Sequence, residues 1–262
     1  MPPSPTGAVV FVAHGGGFTS TSTNRTNEAT TLALCKGLAA IGIIAISIDY
    51  TPATGAGFAN GQFPRAIQDF ICAVRWGRWN VATYGGDPNR MGVAGISAGA
   101  CLAMMTALTM QQGITVLGNG TSLVDATAPY QATAVDTQLV RRCGVYYCPT
   151  DFRVVANIGA GNGSNLFTYL QVSGASDPNF APRASDASPI VLPHTGTTYP
   201  YWMGHGTADV VVYPAQSTNF SSAFTTLATG LGHNFDPTGS AAELAANLTI
   251  WAGGTGSLFG GL

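Results

Sequence analysis

Apolar residues along this chain fall into short β-rich runs separated by longer stretches of helical period. Strands are expected at Ala8 to Val12, Ile43 to Ile48, Arg90 to Ala94, Gly144 to Tyr147, Tyr199 to Gly204 and Phe224 to Leu231. Most of these runs are close to continuously apolar, as strands covered on both faces are. Helices are expected over Asn24 to Ala40, Pro64 to Thr83, Ala98 to Gln111, Pro214 to Phe224 and Ser240 to Trp251. The second has the clearest pattern: Ile67, Phe70, Ile71 and Val74 recur at i, i+3, i+4 and i+7, Pro64 suits a first turn, and Gly85-Gly86-Asp87-Pro88 ends it. Strands alternating with helices over 262 residues predict one α/β domain spanning 1–262, with a mostly parallel sheet of about six strands flanked by helices on both faces. Two segments, 113–140 and 151–193, break the rhythm. Both are rich in Gly, Asn, Ser, Thr and Pro and are expected as lid or insertion loops.

Composition narrows the class. With 46% hydrophobic residues and only 8% charged ones, the chain buries a full core and presents a neutral Ser/Thr/Asn/Gly surface. One lysine (Lys36), nine scattered arginines and a net charge of −2 leave no basic footprint for a nucleic-acid backbone. No apolar run approaches the roughly 20 residues of a membrane span. Five Asn-x-Ser/Thr sites (Asn24, Asn119, Asn162, Asn219, Asn247) and the neutral surface favour an extracellular mature chain over a cytoplasmic one, although Met-Pro-Pro-Ser-Pro-Thr-Gly has no signal-peptide pattern. Five cysteines cannot all pair internally. Cys35, Cys72 and Cys101 read as core residues, and Cys143 and Cys148 could bridge only if the chain turns between them. Their spacing fits no zinc site, and no metal or cofactor is expected.

Chemistry concentrates where glycines crowd polar residues. Gly95-Ile96-Ser97-Ala98-Gly99 has the form G-x-S-x-G between an expected strand and an expected helix. That turn is so tight that its glycines must lack side chains, and it lifts the Ser97 hydroxyl beside a helix N-terminus. Beyond the first strand, His14-Gly15-Gly16-Gly17-Phe18 offers backbone N–H groups bare enough to approach a substrate oxygen. A serine hydroxyl needs a histidine base, and that base needs an acceptor. Of four histidines, His14 belongs to the glycine loop, His194 to a Pro/Gly/Thr-rich segment, and His205 to a strand end where it holds the loop. His233 remains as base. Asp209 follows a strand between nucleophile and base, in the chain order Ser, Asp, His; Asp151 is the competing acid.

These motifs in this order resemble the α/β-hydrolase superfamily, and within it the hormone-sensitive-lipase-like carboxylesterases. His14-Gly15-Gly16-Gly17 looks like the oxyanion motif, Asp49-Tyr50 and Phe63-Pro64 through Asp69 like the Tyr-bearing strand end and its helix, and Tyr84 through Arg90 like the segment before the nucleophile strand. Gly95 to Gly99, His205 to Asp209 and Gly232 to Phe235 look like the nucleophile, acid and base segments. The resemblance implies Ser97 as nucleophile, His233 as base, Asp209 as acid, and the N–H groups of Gly16, Gly17 and Ala98 as oxyanion hole. Phe18, Tyr50 and Trp202 are expected near the acyl or alcohol pocket. The chain departs from the family in having only seven residues before Ala8, so the family's first two strands and N-terminal helical cap are not expected in it. A bare sheet edge follows, and with it the expectation of a homodimer or a covering loop. The segment from Asp209 to His233 is short for a helix and a strand.

The implied activity is a serine carboxylesterase acting through an acyl-enzyme on short-chain or aryl esters, including esters carried on polysaccharide or polyester. Two alternatives stand beside it: an amidase such as an arylformamidase, which would use the same three side chains, and a catalytically inactive α/β-hydrolase binding module, against which the retention of all three residues argues.

Overall fold

The computed structural model describes residues 2, 4–19, 28–54, 60–132, 136–159, 163–194 and 201–233. Its strands are β1 (Val9–Ala13), β2 (Ile44–Ile48), β3 (Met91–Ile96), β4 (Arg142–Tyr146), β5 (Tyr201–Gly206) and β6 (Thr225–Ala228). They form one sheet in the order β2-β1-β3-β4-β5-β6, and each neighbouring pair is parallel. Among the described residues six α-helices accompany them: α1 (Ala29–Ala40), α2 (Arg65–Asn80), α3 (Ala98–Gln111), α4 (Gly163–Leu170), α5 (Phe180–Ala187) and α6 (Ala215–Ser221). Parallel neighbours need crossover connections, and the helices between strands supply them.

The alternation of β1 shows how the layers are held. Val9, Phe11 and Ala13 enter the large core with Ile67, Phe70, Ile71 and Val74 of α2, while Val10 and Val12 face the other way, onto Leu34 and Leu38 of α1. Each such burial contributes about 1.5–3 kcal/mol. Helix α3 shows no polar stripe because it has no wet face: all fourteen residues are buried among the sheet, α2 and the short turns at 136–138 and 189–191.

The expected α/β class and six strands are present. Helix α2 is tighter than expected: it passes at Val81 into a 3₁₀ turn that Gly85 closes at φ +80°. The last strand is four residues, against eight expected, and α6 is seven residues followed by a 3₁₀ turn at Ser222–Phe224. Both fit between Asp209 and His233 only because both are cut short. The start of the first expected helix at residues 24–27, the start of the fifth strand at Tyr199 and the whole of Ser240 to Trp251 lie outside the described residues.

The two irregular segments carry structure. Within 151–193, α4 and α5 turn Leu166, Tyr169, Leu170, Phe180, Ala184 and Ala187 onto the core. In the other segment, the buried Asp186 carboxylate of α5 accepts hydrogen bonds from Asn119 N, Asn119 Nδ2 and Thr121 Oγ1. All five cysteines are free, which corrects the Cys143–Cys148 option: Cys143 lies inside β4 and Cys148 beyond its end, so the chain does not double back between them. Among the described residues β2 has β1 as its one strand neighbour and so forms one edge of the sheet.

Candidate active site

Ser97 sits between β3 and α3 with φ +52° and ψ −121°, a left-handed backbone that a non-glycine residue adopts only under constraint. The constraint is steric. A Cβ on Gly95 would strike the backbone of Gly99, and a Cβ on Gly99 would strike the carbonyls of Ala13 and His14. The Ser97 N–H stays in the sheet, donating to Tyr146 O at 3.1 Å, so the side chain is projected upward from an anchored backbone. The N–H of Ala98 opens α3, where no intrahelical acceptor exists.

The glycine loop after β1 is fastened from behind. His14 Nδ1 donates to Gly15 O at 2.6 Å, its Nε2 lies 3.0 Å from Asp49 Oδ1, and its ring stacks on Tyr50 at 4.3 Å. The Tyr50 hydroxyl donates to His14 O at 3.1 Å. Gly16 and Gly17 take φ +120° and +61°, conformations that suit glycine and turn the loop toward Ser97. Gly15, Gly16, Gly17, Ser97 and His233 line one trench.

Acid and base arrive from the far side of the sheet. His233 Nδ1 donates to Asp209 Oδ2 at 2.8 Å, which leaves Nε2 as acceptor for the Ser97 hydroxyl at 2.9 Å. Asp209 Oδ1 accepts from Val211 N and Val212 N at 2.8 and 2.9 Å. Burial alone would raise the Asp209 pKa, but hydrogen bonds from His205, His233 and the Val212 amide hold it well below the ordinary carboxylate value. His205 accepts from Ser217 Oγ on Nδ1 and donates from Nε2 to Val212 O, so it braces the acid's loop as expected. Tyr147, at φ +41°, sets its ring 4.5 Å from that of His233.

Two cavities meet at Ser97. A narrow apolar one of about 40 Å³ is lined by Phe18, Ala98, Phe152, Ile158, Leu166 and Val212, among others. The polar trench, about 360 Å³, adds Glu28, Thr30 and Tyr147 to the glycine loop and His233. Three sequence expectations are thereby corrected. Tyr50 is buried behind the glycine loop and lines neither cavity, because its hydroxyl is used on the loop's carbonyls. Trp202 lies on the α1 side of the sheet, against Tyr146 and donating to Thr226 Oγ1, because alternation along β5 turns it from the site. Asp151 is paired with Arg153 at 2.8 Å, while His233 Nδ1 is on Asp209. Phe18 does line the narrow cavity, stacked 4.1 Å from Tyr169.

Glu28, Asn165, Leu166 and Val211 escaped sequence reading. Asn165 and Leu166 lie in α4, inside a Gly/Asn/Ser-rich stretch whose composition hides a helix. Glu28 caps α1, accepting from Thr30 N and Thr31 N, a role that leaves it on the trench wall. A Glu three residues ahead of Thr31 is the only sequence trace of it.

A parallel sheet with a strained serine at a strand–helix elbow, a glycine loop beside it and His–Asp partners on later strand ends is the architecture of an α/β-hydrolase. Within that class the chain belongs to the BD-FAE family, whose model matches residues 2–224. It is 31% identical over 192 residues to esterase LipQ of Mycobacterium tuberculosis, covering 72% of this chain and 40% of that protein. It is 34% identical over 132 residues to carboxylesterase NlhH of the same organism, covering 50% of this chain and 37% of that one. The chain thus spans less than half the length of either relative. Among solved structures, a truncated carbohydrate esterase from gut microbiota superposes with a TM-score of 0.74 at 22% identity, covering 93% of this chain and 84% of that one. Esterase Est2 of the Planctomycetes species Thermogutta terrifontis gives 0.64 at 20%, covering 97% and 84%.

Proposed function

We propose that this chain is a serine carboxylesterase for esters of small acyl groups. The observation that carries the reading is the continuous line Ser97 Oγ–His233 Nε2, His233 Nδ1–Asp209 Oδ2, with Gly16, Gly17 and Ala98 lining the cavities beside it. Ser97 Oγ bonds to the ester carbonyl carbon as His233 takes its proton, and the carbonyl oxygen becomes an oxyanion facing those amides. The C–O bond to the alcohol then breaks and His233 returns the proton to the departing oxygen. Water, deprotonated by His233, cleaves the acyl-enzyme in the same way.

Chemistry also assigns the cavities. The leaving alcohol must reach His233 Nε2, and His233 lines the trench but not the narrow pocket. The trench is therefore the alcohol side, and at about 360 Å³ it takes an aryl or sugar unit. The narrow pocket is the acyl side. At about 40 Å³ it has room for a methyl or ethyl group and not for an octyl tail, since one water-sized group needs about 10–15 Å³ on this measure. The experiment is steady-state hydrolysis of p-nitrophenyl acetate, butyrate and octanoate by the wild type and Ser97→Ala. Acetate should exceed octanoate in kcat/KM by at least about tenfold, and Ser97→Ala should lower kcat by about a hundred-thousand-fold or more with the fold unchanged by circular dichroism. Undiminished turnover by Ser97→Ala overturns the reading, and equal use of octanoate overturns the acyl-side assignment.

A further inference from the structure

The two cavities share four lining residues: Gly17, Ser97, Asn165 and Val211. With acyl chain in one cavity and alcohol in the other, the carbon attacked by Ser97 has to stand at this junction. Of the four, Asn165 is the residue that adds a polar side chain to the serine. It is partly exposed on the first turn of α4, and its side-chain amide has no hydrogen-bond partner among the described residues. It is also held close to the glycine loop: a Cβ on Gly17 would lie 2.8 Å from Asn165 Nδ2. Gly17 thus brings no side chain into the space this amide occupies, and the two residues line both cavities together with Ser97.

We infer that Asn165 Nδ2 donates a hydrogen bond to the oxyanion of the tetrahedral intermediate, beside the backbone donors. The inference rests on the reading of Ser97 as nucleophile. An amide suits the place because it is neutral and carries N–H donors; a carboxylate there would repel the oxyanion, and an aliphatic group would leave it to the backbone alone. The free Nδ2 has no competing acceptor to give up when the oxyanion forms.

The test is kinetics with p-nitrophenyl acetate on Asn165→Leu, Asn165→Ala and Asn165→Asp, together with inhibition by a methyl trifluoromethyl ketone, whose serine adduct carries the same oxyanion. The Leu and Ala variants should lose about ten- to a hundredfold in kcat, with KM within about threefold of wild type, and the ketone should bind more weakly by the same factor as the loss in kcat/KM. Asn165→Asp, nearly isosteric, should fall further at neutral pH and recover relative to wild type on acidification, as the carboxyl regains a proton to donate. Leu and Ala variants with kcat within twofold of wild type, or a loss confined to KM, would overturn the inference. So would an Asp variant whose ratio to wild type does not change with pH. Turnover by Ser97→Ala would instead overturn the parent reading, whatever the Asn165 variants do.

Discussion

Residues 9–111 and residues 201–233 each deliver part of the line from Ser97 to Asp209, and they hold it by different means. In the first region the means are steric. Strand β3 and helix α3 are buried along their whole length, and the turn between them closes only because Gly95 and Gly99 lack side chains. In the second region one close approach, of Gly206 to the Leu231 backbone, is joined by polar means. Strand β6 is four partly exposed residues, and Asp209 is placed by two backbone amides and two imidazoles. Gly232, next to the base, has nothing within 4 Å of where a Cβ would stand. A nucleophile set by packing is lost together with the fold, whereas a base set by hydrogen bonds can be weakened in steps while the fold persists.

The sharpest way to break this contrast is a matched pair of substitutions. Gly99→Ala puts a methyl against the carbonyls of Ala13 and His14, two backbone groups that cannot move without displacing β1 from its neighbours. We expect a loss of about 4 kcal/mol or more in urea unfolding, or no soluble protein. Gly232→Ala enters open space and should stay within about 0.5 kcal/mol. Comparable losses from the two would mean that both regions are packed alike.

Next in size is the acid. Asp209→Asn removes the acceptor that fixes the His233 tautomer and should lower kcat by about ten-thousand-fold, while Asp151→Asn, whose carboxylate is paired with Arg153, should stay within about threefold of wild type. The reverse ranking would return Asp151 to the role of acid. Stability adds an independent readout. The folded-state pKa of Asp209 is depressed below the unfolded value of about 3.9. Its contribution is therefore complete above about pH 4 and is lost as pH falls through the folded value. Urea titrations below pH 4 should show a shallower acid loss in Asp209→Asn than in wild type.

The same contrast explains what could be read in advance. Steric requirements leave marks in a sequence: Gly95 and Gly99 meet backbone where a side chain would stand, Gly16 and Gly17 take positive φ, and with β1, β3 and α2 they were legible from spacing and period. Asp209 and His233 were legible through chain order, elimination among the four histidines and the likeness of their short segments to the family's acid and base segments. Asn165 and Glu28 were not legible, because helix α4 is eight residues of Gly, Ser, Asn and Thr mixed with apolar ones, and because a capping Glu looks the same whether or not it borders a cavity. Tyr50 and Trp202 were misplaced for a related reason. A strand pattern gives two faces but not which one meets the site, and Trp202 turned to the α1 side. For Tyr50, the strand end was right and the direction of the hydroxyl was decided by two loop carbonyls.

Tyr50 offers the smallest and most discriminating effect. Its ring stacks on His14 and its hydroxyl donates to the carbonyls of His14 and Gly15, so it acts on the oxyanion amides only through the loop that bears them. Tyr50→Phe keeps the stacking and removes the donor, at a cost of about 1 kcal/mol. That loss should appear as a two- to fivefold decrease in kcat, about what a loosened donor set allows. Because Tyr50 lines neither cavity, the ratio of acetate to butyrate hydrolysis should not move. Leu166→Ala, which enlarges the narrow pocket, should move that ratio toward butyrate with a smaller change in kcat for acetate. A shifted acyl preference in Tyr50→Phe would place its side chain in the substrate pocket after all. It would also show that the glycine loop is held by something other than this tyrosine, leaving the first region less rigid than its packing implies.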